Sequence, residues 1–312
     1  MELEAELGAV RTIPHLAAYA ARQFADKSAI NDSHEELTFI ALEEAAAGVA
    51  AALIANHIEH GDRVAIWAPN STRWVVAALG LQMAGCVLVP LNTRLKGKEA
   101  GFILARSEAK WLFTVTDFLG IDYPVLLRSE KLPQLLQTVL MSGTGEYADW
   151  ASFLKSGKSI SRSEVARRLE KVSASDCSDV IFTSGTTGLP KGVMTTHAQN
   201  LATYRIYSRL LGLKAEDRFL MVNPFFNSFG YKAGWLSALM RGCTMLPQET
   251  FDAARVLERI ALERVSVLPG PPTLYQSLLA EPRLKEWDLR SLRVAITGAA
   301  SIPTSLIRQM HS

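Results

Sequence analysis

Short runs rich in Val, Ile and Leu alternate with longer helical stretches along most of this 312-residue chain, and that alternation constrains the fold more than any other feature. The run RVAIW at Arg63–Trp67 reads as a buried strand stopped by Pro69 and Asn70, and it follows an Ala-rich segment, 37–55, read as an amphipathic helix. A helix from Thr72, a strand at 86–89, a helix at 98–107 and a strand at Trp111–Val115 continue the series. Successive parallel strands need crossover connections, usually helices, so the pattern predicts an α/β fold with mostly parallel sheets and surrounding helices. Between 155 and 177 the chain becomes rich in Ser and charge, as a surface helix flanked by loops would be. Beyond it, strands at 180–183, 218–222, 244–246, 265–268 and 293–297 resume the alternation. The expected organisation is two α/β lobes, 1–177 and 178–312.

Composition narrows the function classes. With 48% hydrophobic and 21% charged residues the chain can bury a large core, which excludes disordered and coiled-coil classes. Lys and Arg number 33 against 31 acidic residues, and no basic block stands out, so nucleic acid is not an expected partner. Cys86, Cys177 and Cys243 are scattered and include no CxxC pair, which argues against disulfides or zinc and for a reducing, cytoplasmic setting. The first residues, MELEAELGAVR, are acidic where a secretory signal would be basic and then apolar. Residues 74–91 lack charge and approach the length of a membrane span, but Gly80, Gln82, Gly85 and Pro90 divide them into a helix, a glycine cap and a short strand.

The densest chemical signal is IFTSGTTGLPKG at 181–192. Glycines let backbone N–H groups turn inward around an anion, hydroxyls add donors, and a lysine supplies a point charge for polyphosphate. A plain turn has no need of Thr183, Ser184, Gly185, Thr186, Thr187, Gly188 and Lys191 in so short a span. A Walker loop is excluded, because it requires Gly before its Lys and Ser or Thr after it, where this chain has Pro190 and Gly192.

SGTTGLPKG closely resembles the phosphate-loop signature of the adenylate-forming superfamily, which includes acyl-CoA synthetases, aryl-CoA ligases, luciferases and peptide-synthetase adenylation domains. GDRVAIWAPNS from Gly61, AGCVLVPLNTRL from Ala84, Asp179 before the loop, VLPGPPTLYQSLL from Val267 and TGAA from Thr297 follow in the order seen in acyl-CoA synthetases, so the resemblance spans essentially the whole chain. NPFFNSFGYKAG from Asn223 is most similar to bacterial ligases that activate propionate side chains of partly degraded steroid rings.

Such a resemblance implies condensation of a carboxylic acid, fatty or steroid-derived, with ATP to an acyl-adenylate, followed by transfer to coenzyme A. It implies that 183–188 and Lys191 hold the β and γ phosphates, with Thr186 also on magnesium (Mg2+), and that Gly298, Ala299, Ala300 and Ser301 line the adenine face. Charge shifting toward the leaving pyrophosphate is what donors and a cation fixed around the loop would stabilise. The acyl pocket is expected from Phe226, Asn227, Ser228, Phe229, Gly230, Tyr231, Lys232 and Gly234, with Gly270, Pro271 and Thr273. Phe225, Phe226, Phe229, Tyr231 and Trp235 fit plain core equally well, and Lys232 reads either as a surface lysine or as a partner for a polar group on the substrate. His197 reads as structural, packing or capping the next helix, with Asn200 an equal cap candidate.

The sequence departs from the resemblance in two places. Relatives usually carry a catalytic histidine where this chain has Asn227, which keeps a donor and loses a titratable charge. The metal-binding Glu motif, the ribose-binding Asp segment, the hinge and the small lid domain with its lysine do not follow Ser312, so the expectation is a truncated AMP-binding domain of weak or no turnover alone. An aryl-CoA or acyl-AMP ligase, or a binding remnant without chemistry, remain the alternative readings, and a homodimer is left open.

Overall fold

This computed structural model describes residues 2–183, 189–298 and 300–311. Its strands, in chain order, are β1 (Ser28–Asn31), β2 (Glu36–Thr38), β3 (Arg63–Trp67), β4 (Val87–Pro90), β5 (Trp111–Val115), β6 (Gln137–Ser142), β7 (Ala148–Asp149), β8 (Cys177–Thr183), β9 (Lys191–Thr196), β10 (Arg218–Met221), β11 (Thr244–Pro247), β12 (Val267–Gly270) and β13 (Val294–Thr297). Among the described residues they form a seven-stranded sheet, ordered β7-β6-β5-β3-β4-β8-β9, and a six-stranded sheet, ordered β13-β12-β10-β11-β1-β2. All neighbours run parallel except the edge pairs β8–β9 and β1–β2. Parallel strands covered on both faces read as near-continuous apolar runs, which is why RVAIW and WLFTV were legible as strands.

The expected division at 177 is not a division between sheets. The early pair β1–β2 joins the sheet built from the later strands, through the Ile30–Met245 register. The β8–β9 hairpin joins the sheet built from the earlier ones, through Leu88–Asp179. Each half of the chain thus lends a hairpin to the other's sheet, and one apolar cluster runs from Leu7 to Val267 across both.

The helix Phe39–Ala55 starts later than expected because Glu36–Thr38 is strand, and the Thr38 hydroxyl accepts the N–H of Ala41 as its cap. It is not amphipathic: Phe39, Leu42, Ala46 and the run from Val49 to Ile54 are all buried. Its alanines permit a close crossing with the helix Thr72–Met83, where a Cβ on Gly80 would lie 2.6 Å from the Ala46 carbonyl oxygen. The uncharged stretch 74–91 resolves into that buried helix, a left-handed Gly85 at φ +81°, and β4. No helix among the described residues is long and apolar enough to cross a membrane.

Candidate functional site

Because the strands of each sheet run parallel, their carboxyl ends gather on one rim, and loops there are free to bind. A cleft of about 680 Å³ opens where the two rims meet. Thr93 and Arg94 after β4, and Phe118, Ile121 and Tyr123 after β5, line one side. Asn223, Pro224 and Phe226 after β10, Glu249 and Phe251 after β11, and Pro271 and Thr273 after β12 line the other. The walls are largely apolar, with a few polar groups, the usual make-up of a small-molecule site.

Specific contacts hold these loops. The Trp67 indole N–H donates to the Asn92 carbonyl at 3.0 Å, and the Tyr123 hydroxyl donates to the Thr93 carbonyl at 3.0 Å. The two rings lie 4.4 Å apart, so the Asn92–Arg94 turn is fixed from below. Burial pushes the Tyr123 hydroxyl up to about 12, which keeps it a neutral donor. Across the cleft, Asn70 Nδ2 donates to the carbonyls of Met221 and Asn223, and Asn223 Nδ2 donates to Pro269. Burial also raises Glu249, the one carboxyl among the residues lining this cleft.

The loop singled out in the sequence connects a β-hairpin. Thr183 and Lys191, both exposed, face each other as the last pair of β8 and β9. Since β8 runs parallel to β4, the hairpin opens at the same rim as Thr93 and Arg94. Ser184, Gly185, Thr186, Thr187 and Gly188 lie outside the described residues. Gly298 follows β13, whose Thr297 is in register with Gly270, so the proposed adenine segment leaves the sheet beside Pro271. Space around Gly298 is open, and Ala300 and Ser301 are exposed; Ala299 lies outside the described residues.

Residues 226–234 divide between the wall and what stands behind it. Phe226 lines the cleft. Asn227 is half-buried, and its Oδ1 accepts the N–H groups of Phe229 and Gly230 at 3.0 and 2.9 Å, an Asx turn that starts the following coil. Among the described residues its Nδ2 makes no hydrogen bond, so the donor end of the amide is not engaged by them. Ser228 is exposed and Phe229 half-buried. Gly230 is required by packing: a Cβ there would sit 2.1 Å from the Pro224 carbonyl oxygen. Tyr231–Leu236 forms a π-helix, in which the N–H of Ala233 reaches back to Ser228 and that of Trp235 to Gly230.

Tyr231, Lys232 and Gly234 belong to this buried turn, behind the wall. Tyr231 stacks on Trp235 at 4.7 Å, and with Phe225 and Trp74 they form a fully buried aromatic cluster, so the plain-core reading holds for these side chains. Lys232 fits neither expectation. It is 6% exposed, and its Nζ lies 2.8 Å from Asp179 Oδ1 and 2.7 Å from Thr195 Oγ1, so its charge is already paired within the protein.

His197 is buried as the first residue of the helix His197–Leu210, where its Nδ1 accepts the N–H of Ile13 at 3.3 Å. Burial lowers its pKa to about 4, so it is neutral at physiological pH. The helix is capped by Thr196, in a capping box with Gln199, and Asn200 instead bonds Asp179. Asn70, Asn223, Arg94, Tyr123 and Glu249 were not expected at the site. The only sequence signal for the two asparagines is their place just past strand ends, where polar loop residues reach backbone groups.

Comparison with known proteins agrees with this geometry. The AMP-binding enzyme family matches residues 17–312. The chain is 43% identical over 303 residues to the 3-[(3aS,4S,7aS)-7a-methyl-1,5-dioxo-octahydro-1H-inden-4-yl]propanoyl:CoA ligase of Mycobacterium tuberculosis, covering 97% of this chain and 60% of that protein. It is 41% identical to the ligase of the same name from Rhodococcus jostii, over 96% of this chain and 60% of that protein. The chain thus spans about three fifths of the length of these relatives. The crystal structure of the anthranilate CoA ligase AuaEII in complex with anthranoyl-AMP superposes with a TM-score of 0.87 at 23% identity, covering 98% of this chain and 57% of that one. The inhibitor-bound N-terminal domain of FACL13 from Mycobacterium tuberculosis does so at 0.80 and 26%, covering 96% and 73%.

Proposed function

The chain belongs to the AMP-binding enzyme family, and from that premise we propose that it carries the nucleotide- and acid-binding part of an AMP-forming acyl-CoA ligase acting on a ring-bearing propionate. In that reaction a carboxylate oxygen attacks the α-phosphorus of ATP, pyrophosphate leaves, and the thiol of coenzyme A then displaces AMP from the acyl carbon. The observation that carries the reading is the shared rim: the glycine- and hydroxyl-rich hairpin loop, the Gly298 segment and the apolar cleft all open at the carboxyl ends of the parallel strands.

In this reading Thr183 and Lys191 stand at the base of a loop whose glycines, hydroxyls and cation would favour charge moving onto pyrophosphate. The Asx turn holds the amide of Asn227 so that Nδ2 is available to an oxygen of the phosphate or of the attacking carboxylate. Phe226, Phe251 and Phe118 give the acid an apolar slot, and Arg94 and Thr93 place donors beside it. A bicyclic acid bearing ring ketones, like that in the names of the two ligases above, matches a slot of this make-up better than a plain alkyl chain. Magnesium would find no cluster of three or more His, Cys, Asp or Glu among the described residues, Thr186 lies outside them, and the reading rests on no metal ligand.

Calorimetric titration with two acyl-sulfamoyl adenosines, one bearing a bicyclic dioxo-propionyl group and one a long alkyl chain, tests the proposal. Tighter binding of the bicyclic compound is expected. Preference for the alkyl compound would move the substrate class to fatty acids, and failure of both to bind would overturn the reading.

A further inference from the structure

Asp179 and Lys232 are a buried pair of opposite charges, and each is rooted in a different part of the site. Asp179 is fully buried on β8, the strand that leads into the hairpin loop. Lys232 lies in the π-helix that begins just after the cleft-wall residues Phe226 and Asn227. Their charged atoms are 2.8 Å apart. The Thr195 hydroxyl, on β9, accepts from Lys232 Nζ at 2.7 Å and donates to Asp179 Oδ1 at 2.8 Å, closing a triangle. Asp179 Oδ2 accepts from Ser178 Oγ and Asn200 Nδ2, each at 2.7 Å. Gln82 Nε2 spans the same two elements, donating to the Ser178 carbonyl and to the Tyr231 hydroxyl at 3.1 Å.

Stability alone does not explain such an arrangement. Taking two charges out of water costs several kcal/mol per ion, and a pair of well-packed apolar side chains of similar volume commonly stabilises a fold as much or more. What an ion pair with shared hydrogen bonds supplies, and an apolar contact does not, is a single relative position of the two elements. The π-helix fits this use: its wider turn presents the Lys232 side chain toward β8 while the same backbone stretch runs from the Asx turn of Asn227.

We propose that Asp179 and Lys232 form a positioning pair that locks the phosphate-loop hairpin to the cleft wall, so that nucleotide and acid are held at one fixed separation. This rests on the ligase reading above. The lock acts on the distance between two half-sites rather than on either half-site, so a ligand occupying one half is indifferent to it. A ligand that joins both halves gains its extra affinity from their matched spacing, and it loses that gain when the spacing is no longer set.

The test measures the affinity of the chain for three probes: ATP, the bicyclic dioxo-propionic acid, and the joined acyl-sulfamoyl adenosine. The variant Asp179→Asn/Lys232→Met removes both charges and avoids stranding one of them in the interior. It is expected to bind ATP and the acid within about twofold of the parent, and the joined compound at least about tenfold more weakly. Equal affinity of parent and folded variant for the joined compound would overturn the proposal, as would uniform loss for all three probes, which would mark the pair as structural only. Should the double variant fail to fold, Thr195→Val, which keeps both charges and removes the bridging hydroxyl, decides the matter by the same criterion. A parent that binds none of the probes would overturn the ligase reading and the proposal together; a parent that binds all three isolates the pair.

Discussion

The backbone N–H of Phe225 donates to Asn70 Oδ1 across 2.7 Å, joining the loop that leaves β3 to the loop that leaves β10. The other end of the same amide donates to Met221 and Asn223, so one buried side chain satisfies three backbone groups on the far side of the cleft. Asn70 is 3% exposed, and water cannot easily take its place.

Replacing Asn70 by Ala should therefore destabilise the chain by about 2–4 kcal/mol, since three buried backbone groups lose their partner. Urea unfolding of Asn70→Ala against the parent measures this. Asn70→Asp, which keeps the acceptor for Phe225 but turns a buried carboxylate oxygen onto the two carbonyls, should be destabilised at least as much as the Ala variant.

Gly230 has an ordinary backbone conformation, φ −79°, so its requirement is purely one of space. A methyl group there would meet the backbone oxygens of Pro224 and Asn223 at 2.1 and 2.4 Å, and neither can rotate away. Gly230→Ala should cost about 2 kcal/mol or more. Because the displaced loop carries Phe226, affinity for the acid should fall in parallel. Thermal melting and calorimetry with the acid read the two effects.

Asn227 separates a structural from a binding role by its two ends. Asn227→Asp keeps an oxygen to accept from Phe229 and Gly230 and removes the Nδ2 donor. The melting temperature should stay close to that of the parent, while affinity for an acyl-sulfamoyl adenosine drops by about tenfold or more, the scale of one lost donor plus a repelling charge. Asn227→Ala should lose both, with about 1 kcal/mol of stability going with the two hydrogen bonds of the Asx turn. An aspartate variant that binds as tightly as the parent would confine Asn227 to the turn.

His197 makes stability sensitive to acid. Burial lowers its pKa from the ordinary 6.5 to about 4 in the folded chain, so the unfolded chain binds the proton more readily. The stabilisation is fully present above pH 6.5 and is lost as pH falls toward 4, by about 3 kcal/mol from this group. His197→Gln, which cannot titrate, should remove that part of the slope. Urea unfolding at pH 7 and pH 4.5 for both chains gives the difference directly.

Much of the architecture is written locally. RVAIW and WLFTV are read as strands because both of their faces are covered, and the uncharged stretch around Gly85 is read as helix, cap and strand because its breakers are visible. The β9 strand is harder to see: it holds Gly192, lies at a sheet edge and alternates too little to announce itself. The partner of Lys232 is hidden for a related reason. A lysine among aromatics carries no mark of its partner, and Asp179 lies far away in sequence on another element. The apolar wall at Phe226 and Pro271 was legible, whereas Asn70 and Asn223 act through backbone groups of distant loops, which no local pattern records.

The exchange of hairpins between the sheets bears on how the chain comes to be folded at all. β1 cannot find its parallel neighbour until Thr244–Pro247 has been synthesised, and β4 waits on one side for Cys177–Thr183. Neither half can finish its own sheet from its own residues, so a nascent chain carries apolar strand edges for most of its synthesis. Pairings this remote raise the contact order, slow the search, and leave the unfinished chain dependent on whatever shields exposed strands in the cell. By the same logic, cutting the chain near residue 177 should yield two pieces that fold only when they meet.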